Sequence, residues 1–410
     1  MRRIFVDGAS GRRPVVPHGP ERLAASAKLR LSGDAFAYLA GGAGAEATMA
    51  ANRAGFDRRR IVPRMLEDVS EASLATSALG FDWPAPLFLA PMGVSGLWHR
   101  DGDLAIAEGA AAAGLPMTIS SQASKPMEEI ARALGDTPFL FQLYWSREEA
   151  LTRSLVKRAE GCGARAIVLT LDTKMLGWRP RDLDRAHLPF LAAQGIAQYT
   201  SDPVFNRLLD AMADDPDAPK PRLGWKTPKT LATMLRTHPG HWRENLKSQA
   251  PMRAARLFTQ IYSNPALGRD HVKRLRDMTD LPIVLKGIQH PDDAAFAAQH
   301  DCGVYVSNHG GRQVDGAVGS IDILPAIVER VAGRVPILFD SGVRSGADAF
   351  KALALGADAV GIGRPWGYGL AIAGVAGVDE VMRGIASELE LTMRLSGATN
   401  LDETSAALLE

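Results

Sequence analysis

The sequence predicts an α/β protein built as a (β/α)8 TIM barrel with a long insertion, a lid, after the fourth strand. Three observations predict it. Eight short apolar runs mostly alternate with helical segments at intervals of roughly 20–35 residues, about the length a βα unit needs. The runs are continuously apolar rather than alternating, as strands are when a parallel sheet is covered on both faces. Nearly every run also ends in a polar residue, as barrel strands do where they open into a site. A doubly wound open sheet is the runner-up, weakened because no Gly-x-Gly-x-x-Gly turn follows the first strand.

Residues 1–30 read as a polar, poorly ordered stretch. From Asp34 a short helix carries Tyr38 on its last turn and stops at Gly41 and Gly42, glycines being common helix terminators. An irregular segment follows to about residue 84. The first strand is 86–91, with an alanine-rich helix over 103–113. The second strand, 117–120, precedes a helix at 127–134, and the third, 139–144, precedes one at 148–161. The fourth strand is 166–172. The remaining strands are 283–286, 304–307, 337–340 and 359–363, separated by helical spacing over 291–300, 320–333 and 345–355. Asp or Ser near the helix starts supplies caps.

One interval breaks this rhythm. Between Asp172 and Pro282 lies far more chain than one helix requires, including the turn-rich stretch 214–221. An insertion there leaves the barrel on the face where active sites form and is expected to act as a lid. The expected organisation is a single domain over 1–410, with the barrel at about 85–375, the lid at about 175–265 and an N-terminal helical segment at about 20–84.

The totals restrict the function. The chain has 410 residues, with 47 Lys and Arg against 46 Asp and Glu, for a net charge of +1. That balance does not favour nucleic acid or an anionic membrane surface. Cys162 and Cys302 stand far apart, so neither a disulfide framework nor structural zinc is expected, and a reducing compartment is the default. His238 and His241 have no acidic or thiol ligand at useful spacing and read as insertion surface, so no metal is expected. The N-terminus has no apolar signal segment, and the apolar stretch 366–378 is too short to span a bilayer. A cytoplasmic protein is expected.

The chemistry collects at the strand ends. Ser120, Gln142 with Tyr144, Thr170 with Asp172, Lys286, Ser307 with His309, Asp340, and Gly363 with Arg364 all fall where a barrel strand finishes. In 304–313, an apolar strand opens into Ser307, Asn308, His309, Gly310, Gly311, Arg312 and Gln313. Histidine moves protons near neutral pH, and arginine's planar fork matches a carboxylate or phosphate. Gly342, Arg344, Gly363 and Arg364 follow strands seven and eight, where barrels commonly bind phosphate. Lys286 supplies a fixed positive charge, or the nucleophile of a Schiff-base aldolase. Such an aldolase would be colourless and trappable by borohydride with its substrate.

The run 307–313 resembles the signature of the FMN-dependent 2-hydroxy acid oxidase and dehydrogenase family. Tyr38 before a glycine pair and the stretches 141–144, 170–173, 282–287 and 339–344 fall in the same order as in that family, so the likeness covers roughly 34–396. The resemblance implies an FMN-binding (β/α)8 barrel. It implies His309 as the base that removes a substrate proton, with Asp172 steadying the imidazolium. Arg312, Arg179 and Tyr38 would hold the substrate carboxylate, and Tyr144 the hydroxyl that becomes a ketone. Ser120, Gln142, Thr170 and the backbone of Met92 and Gly93 would contact the flavin, with Ser307 beside them. Lys286 would stabilise the reduced flavin, Asp340 would lie near the ribityl chain, and Gly342, Arg344, Gly363 and Arg364 would hold the phosphate. It implies a small 2-hydroxy acid and O2 as reactants and a homotetramer or homo-octamer as the assembly. No haem segment is present, which disfavours the flavocytochrome type.

Within the family, 177–184 and 195–203 look most like lactate 2-monooxygenase, and Gly93 stands where many oxidases carry alanine. A missing methyl there is expected to leave more room beside the flavin. Both features favour oxidation of lactate followed by decarboxylation to acetate, carbon dioxide and water. Release of the keto acid with hydrogen peroxide is the alternative. Gln122 and Met92 depart from the usual pattern, and Trp98, Phe205 and the insertion favour a larger substrate.

Overall fold

Eight parallel strands close into a barrel in this computed structural model, which describes residues 1–212, 224–225 and 227–410. The turn-rich stretch 214–221 lies outside the described residues. An antiparallel hairpin, β1 (Thr76–Ala78) and β2 (Phe81–Trp83), precedes the barrel. The barrel strands are β3 (Leu87–Leu89), β4 (Met117–Ser120), β5 (Phe139–Leu143), β6 (Ile167–Thr170), β7 (Ile283–Ile288), β8 (Gly303–Val306), β9 (Ile337–Phe339) and β10 (Ala359–Ile362). Each pairs in parallel with the next, and β10 closes on β3 through Val360 opposite Leu87. The eight expected strands are these eight, with every end within two residues of the expected one.

Side chains on a strand alternate faces, so residues two apart share one. Phe88, Leu140, Val168, Val284, Tyr305 and Leu338 fill the barrel interior together with Trp83 of the hairpin. Two positions further along, Gln142, Thr170, Lys286, Ser307 and Asp340 must therefore point inward as well, at the carboxyl end. The apolar floor and the polar mouth are consecutive layers of the same inward face.

Two expectations are corrected. The N-terminal stretch is not featureless: helices Arg2–Ala9 and Pro20–Arg30 form, and the second buries Leu23 and Ala27, four residues apart on one face. The irregular segment before the barrel contains the β1–β2 hairpin, whose Trp83 packs edge-on against Phe88 at 5.7 Å. That hairpin is short and turns at Leu79 and Gly80, both at positive φ, which left little periodicity to detect. The insertion is largely helical among its described residues, with helices at Pro203–Ala211, Thr227–Thr237, Trp242–Ser248 and Ala250–Ile261. Tyr199, Phe205, Phe258, Tyr262 and Phe190 form its aromatic core. Among the described residues, no helix is long and apolar enough to cross a membrane.

Candidate active site

A cavity of about 1020 Å³, part of it open to solvent, occupies the carboxyl-terminal mouth of the barrel. Every barrel strand or the loop after it contributes to the wall: Ala90, Ser120, Gln142, Thr170, Lys286, His309, Asp340 and Gly361. The insertion roofs it with Leu176, Arg179, Phe190 and Tyr262.

His309 sits at the centre. Its Nδ1 lies 2.9 Å from Asp172 Oδ1, and Thr173 Oγ1 donates to the same carboxylate oxygen at 3.0 Å. His309 has φ of 57°, a conformation that costs a non-glycine residue about 1–3 kcal/mol and collects at functional sites. The loop holds it there: His309 N donates to Ser307 Oγ at 3.1 Å, and Gly310 N to Ser341 Oγ at 3.0 Å. Asp172 can approach because Gly287, at φ of 96°, has no side chain; a Cβ there would stand 2.7 Å from Asp172 Cβ.

Electrostatics set the resting proton positions. Burial, with Lys286 and Arg179 nearby, outweighs Asp172 and holds the His309 imidazole below its ordinary pKa. The ring is therefore neutral near pH 7, with Nδ1–H donating to Asp172 and Nε2 free to accept. Burial alone would raise Asp172, but in the acid range where that carboxyl titrates the protonated His309, and then Lys286, prevail and hold it down to about 2. Burial and the Asp172 charge push the Tyr144 phenol well up, so it stays protonated.

The cavity is short of negative charge. Burial, and then the neighbouring Arg179, push Arg312 down to about 9. Arg312 Nη1 donates to the carbonyls of Tyr38 and Gly41 at 2.6 and 3.0 Å, and its guanidinium stacks 5.0 Å from the Tyr38 ring centre. Arg179 Nε donates to the Arg312 carbonyl at 3.2 Å. Two fixed guanidiniums with nitrogens to spare are chemically suited to one carboxylate.

At the far end, burial and the charge of Arg364 push Arg344 down to about 10. Among the described residues its side chain hydrogen-bonds only the carbonyl of Val343, at 2.8 Å. Gly342 and Gly363 line the same end. Between the two anion receptors runs a polar floor. Ser120 Oγ donates to Gln142 Oε1 at 3.2 Å, Gln142 Nε2 donates to Thr170 Oγ1 at 3.0 Å, and Lys286 Nζ donates to Ser307 Oγ at 2.8 Å. A phosphate receptor, a polar floor with a buried ammonium and a carboxylate receptor in sequence fit FMN with a small acid beside it.

The structure brings Met92, Gly93, Tyr38, Tyr144 and the residues above to one cavity and rearranges several expectations. Ser307 lies under the wall, between Lys286 and Asp340, rather than on it. Arg364 lines the cavity but commits its nitrogens to the carbonyls of Leu39, Gly310 and Gly41 at 3.2, 2.9 and 2.8 Å. It clamps backbone and has little left for a phosphate. Phe205 is buried against Tyr199 in the insertion core and does not reach the cavity. Gly93 opens no space, because a Cβ there would stand 2.6 Å from Gln122 Cβ. Its missing methyl is already occupied by Gln122.

The sequence reading missed Phe190, Tyr262 and Leu176, which come from the insertion and carried no strand-end signal. It also passed over Gln313, although that residue stands in the signature run. Its Nε2 donates to the carbonyls of Asp172 and Met175 at 2.7 and 2.9 Å, while its Oε1 accepts from Gly177 N and Arg179 Nη2 at 3.3 and 3.0 Å. Among the described residues, no group of three or more His, Cys, Asp or Glu could hold a metal ion.

The sequence profile of FMN-dependent dehydrogenases matches residues 27–410. The chain is 40% identical to an L-lactate oxidase of Lysinibacillus sphaericus over 368 residues, 90% of this chain and 86% of that protein. It is 39% identical over 397 residues to the FMN-dependent alpha-hydroxy acid dehydrogenase qulF of Penicillium citrinum, covering 96% and 91%. Among solved structures, mandelate oxidase with (S)-4-hydroxymandelic acid superposes with a TM-score of 0.79 at 34% identity, covering 96% of this chain and 98% of that one.

Proposed function

The chain belongs to the FMN-dependent dehydrogenase family, and on that premise we propose that it oxidises an L-2-hydroxy acid to the 2-keto acid with O2 as acceptor. The observation that carries this reading is the His309–Asp172 pair, 2.9 Å apart, with His309 on the wall of the cavity that Arg179 and Arg312 also line. FMN, when bound, accepts the two electrons that leave the substrate carbon. Arg344, Gly342 and Gly363 would hold its phosphate, Asp340 its ribityl chain, and Ser120, Gln142, Thr170, Lys286 and the Met92–Gly93 backbone its ring system.

The chain's own residues supply the rest. Arg312 and Arg179, with Tyr38 stacked on the first, bind the substrate carboxylate and fix its orientation. Tyr144, held protonated, offers a hydrogen bond to the substrate oxygen. His309 accepts the substrate proton at Nε2, the nitrogen that Asp172 leaves free. Asp172 remains ionised and stabilises the imidazolium, as the carboxylate of a catalytic triad does. Lys286 keeps a positive charge at the cavity floor, where negative charge develops.

Release of the keto acid with hydrogen peroxide is the reading supported by the oxidases among the relatives. Decarboxylation, in which retained peroxide converts the keto acid to the next shorter acid, carbon dioxide and water, is the second. It draws on the roof of Leu176, Phe190 and Tyr262 and on the likeness of 177–184 to lactate 2-monooxygenase. Gly93 no longer supports it, since Gln122 fills that space. Lactate is the substrate expected from the sequence. The aromatic wall of Trp98, Tyr144, Phe190 and Tyr262 suits a larger side chain as well. A homotetramer or homo-octamer follows from the family likeness, and light scattering checks it.

The test is anaerobic mixing of the FMN-loaded protein with L-lactate and, separately, L-mandelate, followed by air and product analysis. Bleaching of the yellow colour, then keto acid with stoichiometric peroxide, is the expected result. Acetate or benzoate with carbon dioxide and little peroxide would select the second reading. A protein whose colour no 2-hydroxy acid bleaches would overturn both.

A further inference from the structure

Beneath the cavity floor, a phenol occupies a barrel-interior position where its neighbours are apolar. Tyr305 on β8 is fully buried among Phe88, Val284 and Leu338 and does not reach the cavity wall. Its hydroxyl donates to Asp340 Oδ2 at 2.9 Å. The other carboxylate oxygen, Oδ1, accepts from Ser307 Oγ at 2.5 Å and from Ser341 Oγ at 2.7 Å. Lys286 Nζ stands 3.6 Å from Asp340 Oδ2 and 5.0 Å from the centre of the Tyr305 ring. The fold makes room for the hydroxyl specifically: a Cβ on Gly361 would lie 2.7 Å from Tyr305 Oη.

The arrangement has an electrostatic consequence. Asp340 is the carboxylate best placed to neutralise Lys286, yet the 3.6 Å separation is longer than a direct hydrogen bond. The oxygen nearest the ammonium is the one that Tyr305 engages. A hydrogen bond to a charged acceptor is about twice as strong as a neutral one and draws charge toward the donor. Burial, followed by the Asp340 charge, keeps the phenol protonated, so it is a fixed donor. Without the hydroxyl, Oδ2 would be left buried beside Lys286 with no donor of its own, and only the Oδ1 contacts of Ser307 and Ser341 would fix the carboxylate.

We propose that Tyr305 is a positioning residue that restrains Asp340 from neutralising Lys286, and so raises the reduction potential of the bound FMN. The reduced cofactor carries more negative charge than the oxidised form, so an ammonium that Asp340 offsets only in part favours reduction. This inference rests on the reading of Lys286 as a cofactor contact.

The experiment is anaerobic potentiometry of the FMN-loaded protein against a reference dye, with bound FMN quantified for each variant. Tyr305→Phe is expected to lower the two-electron potential by the equivalent of a tenfold change in the equilibrium constant, about 30 mV. Asp340→Asn removes the neutralising charge and raises the potential, whereas a merely loosened site would lower it in both variants. Adding Tyr305→Phe to Asp340→Asn produces no further fall, because the partner is gone. An unchanged potential in Tyr305→Phe, or an equal fall in both backgrounds, overturns the proposal. Should Tyr305→Phe not retain FMN, the sign of the Asp340→Asn shift decides, a fall counting against it. Lys286→Met separates the underlying reading: a potential unmoved by that change sinks the Lys286 assignment, and a large fall leaves it standing whatever Tyr305 does.

Discussion

Gln313 holds Arg179 by a side-chain hydrogen bond of 3.0 Å, and the rest of the same amide is spent on the loop leading to it. Its two donors and its acceptor oxygen together span residues 172–179, from the partner of His309 to the guanidinium beside Arg312. The contact is close enough that a Cβ on Gly177 would meet the Arg312 carbonyl at 2.4 Å. The start of the insertion is thus fastened to the histidine loop, and this amide, together with the bond from Arg179 Nε to the Arg312 carbonyl, sets the spacing of the two arginines.

Gln313→Leu is expected to raise KM for the hydroxy acid about tenfold with a smaller change in kcat, since a hydrogen bond to a charged group is worth ~1.5–3 kcal/mol. Steady-state kinetics check it. An equal loss in kcat with KM unchanged would place Gln313 in the chemical step instead.

Asp172→Asn keeps the side-chain shape but removes the anion that stabilises the imidazolium, and kcat should fall on the order of 10²–10⁴-fold. The pH profile carries the sign. His309 must be neutral to accept a proton, so kcat/KM falls as pH drops through its pKa, which burial sets below 6.5. Asp172 raises that pKa, so the Asn variant moves the acid limb to still lower pH. A limb that stays in place or shifts upward would mean that another group controls it.

Arg344→Gln and Arg364→Gln should separate. The Arg344 guanidinium has no carboxylate partner in hydrogen-bond contact among the described residues, so its loss is expected to weaken FMN binding roughly 10–100-fold while riboflavin binding changes little. Arg364 ties three backbone carbonyls together, so its loss should lower Tm and affect FMN and riboflavin alike. Fluorescence titration of both ligands, with thermal melts, distinguishes the cases.

Gly93→Ala places a methyl where Gln122 Cβ is 2.6 Å away. Overpacking of this kind costs typically ~1–3 kcal/mol, read as a lower Tm. Gly93→Ala with Gln122→Gly, which removes the Cβ it meets, should recover part of that loss. If the single variant keeps its Tm and alters only the ratio of peroxide to carbon dioxide, the glycine acts on the chemistry rather than on packing.

Much of this was legible in the chain alone. Barrel strands are buried on both faces and so read as continuous apolar runs, and each ends where its inward face meets the cavity. Local pattern therefore determined the eight strands, the polar mouth and the motif around His309, while the family likeness attached FMN to them. Tertiary structure decided what depends on who stands opposite. Whether Gly93 means space or contact depends on Gln122, from another loop. Whether Arg364 is free for phosphate depends on carbonyls more than 300 residues away at Leu39 and Gly41. Phe190 and Tyr262 reach the cavity because the insertion folds back over it, and Tyr305 gains its role only where β8 brings it against Asp340 of β9. A residue's type and its strand position are local properties, but the partners that spend or spare its charge are assembled only when the barrel closes.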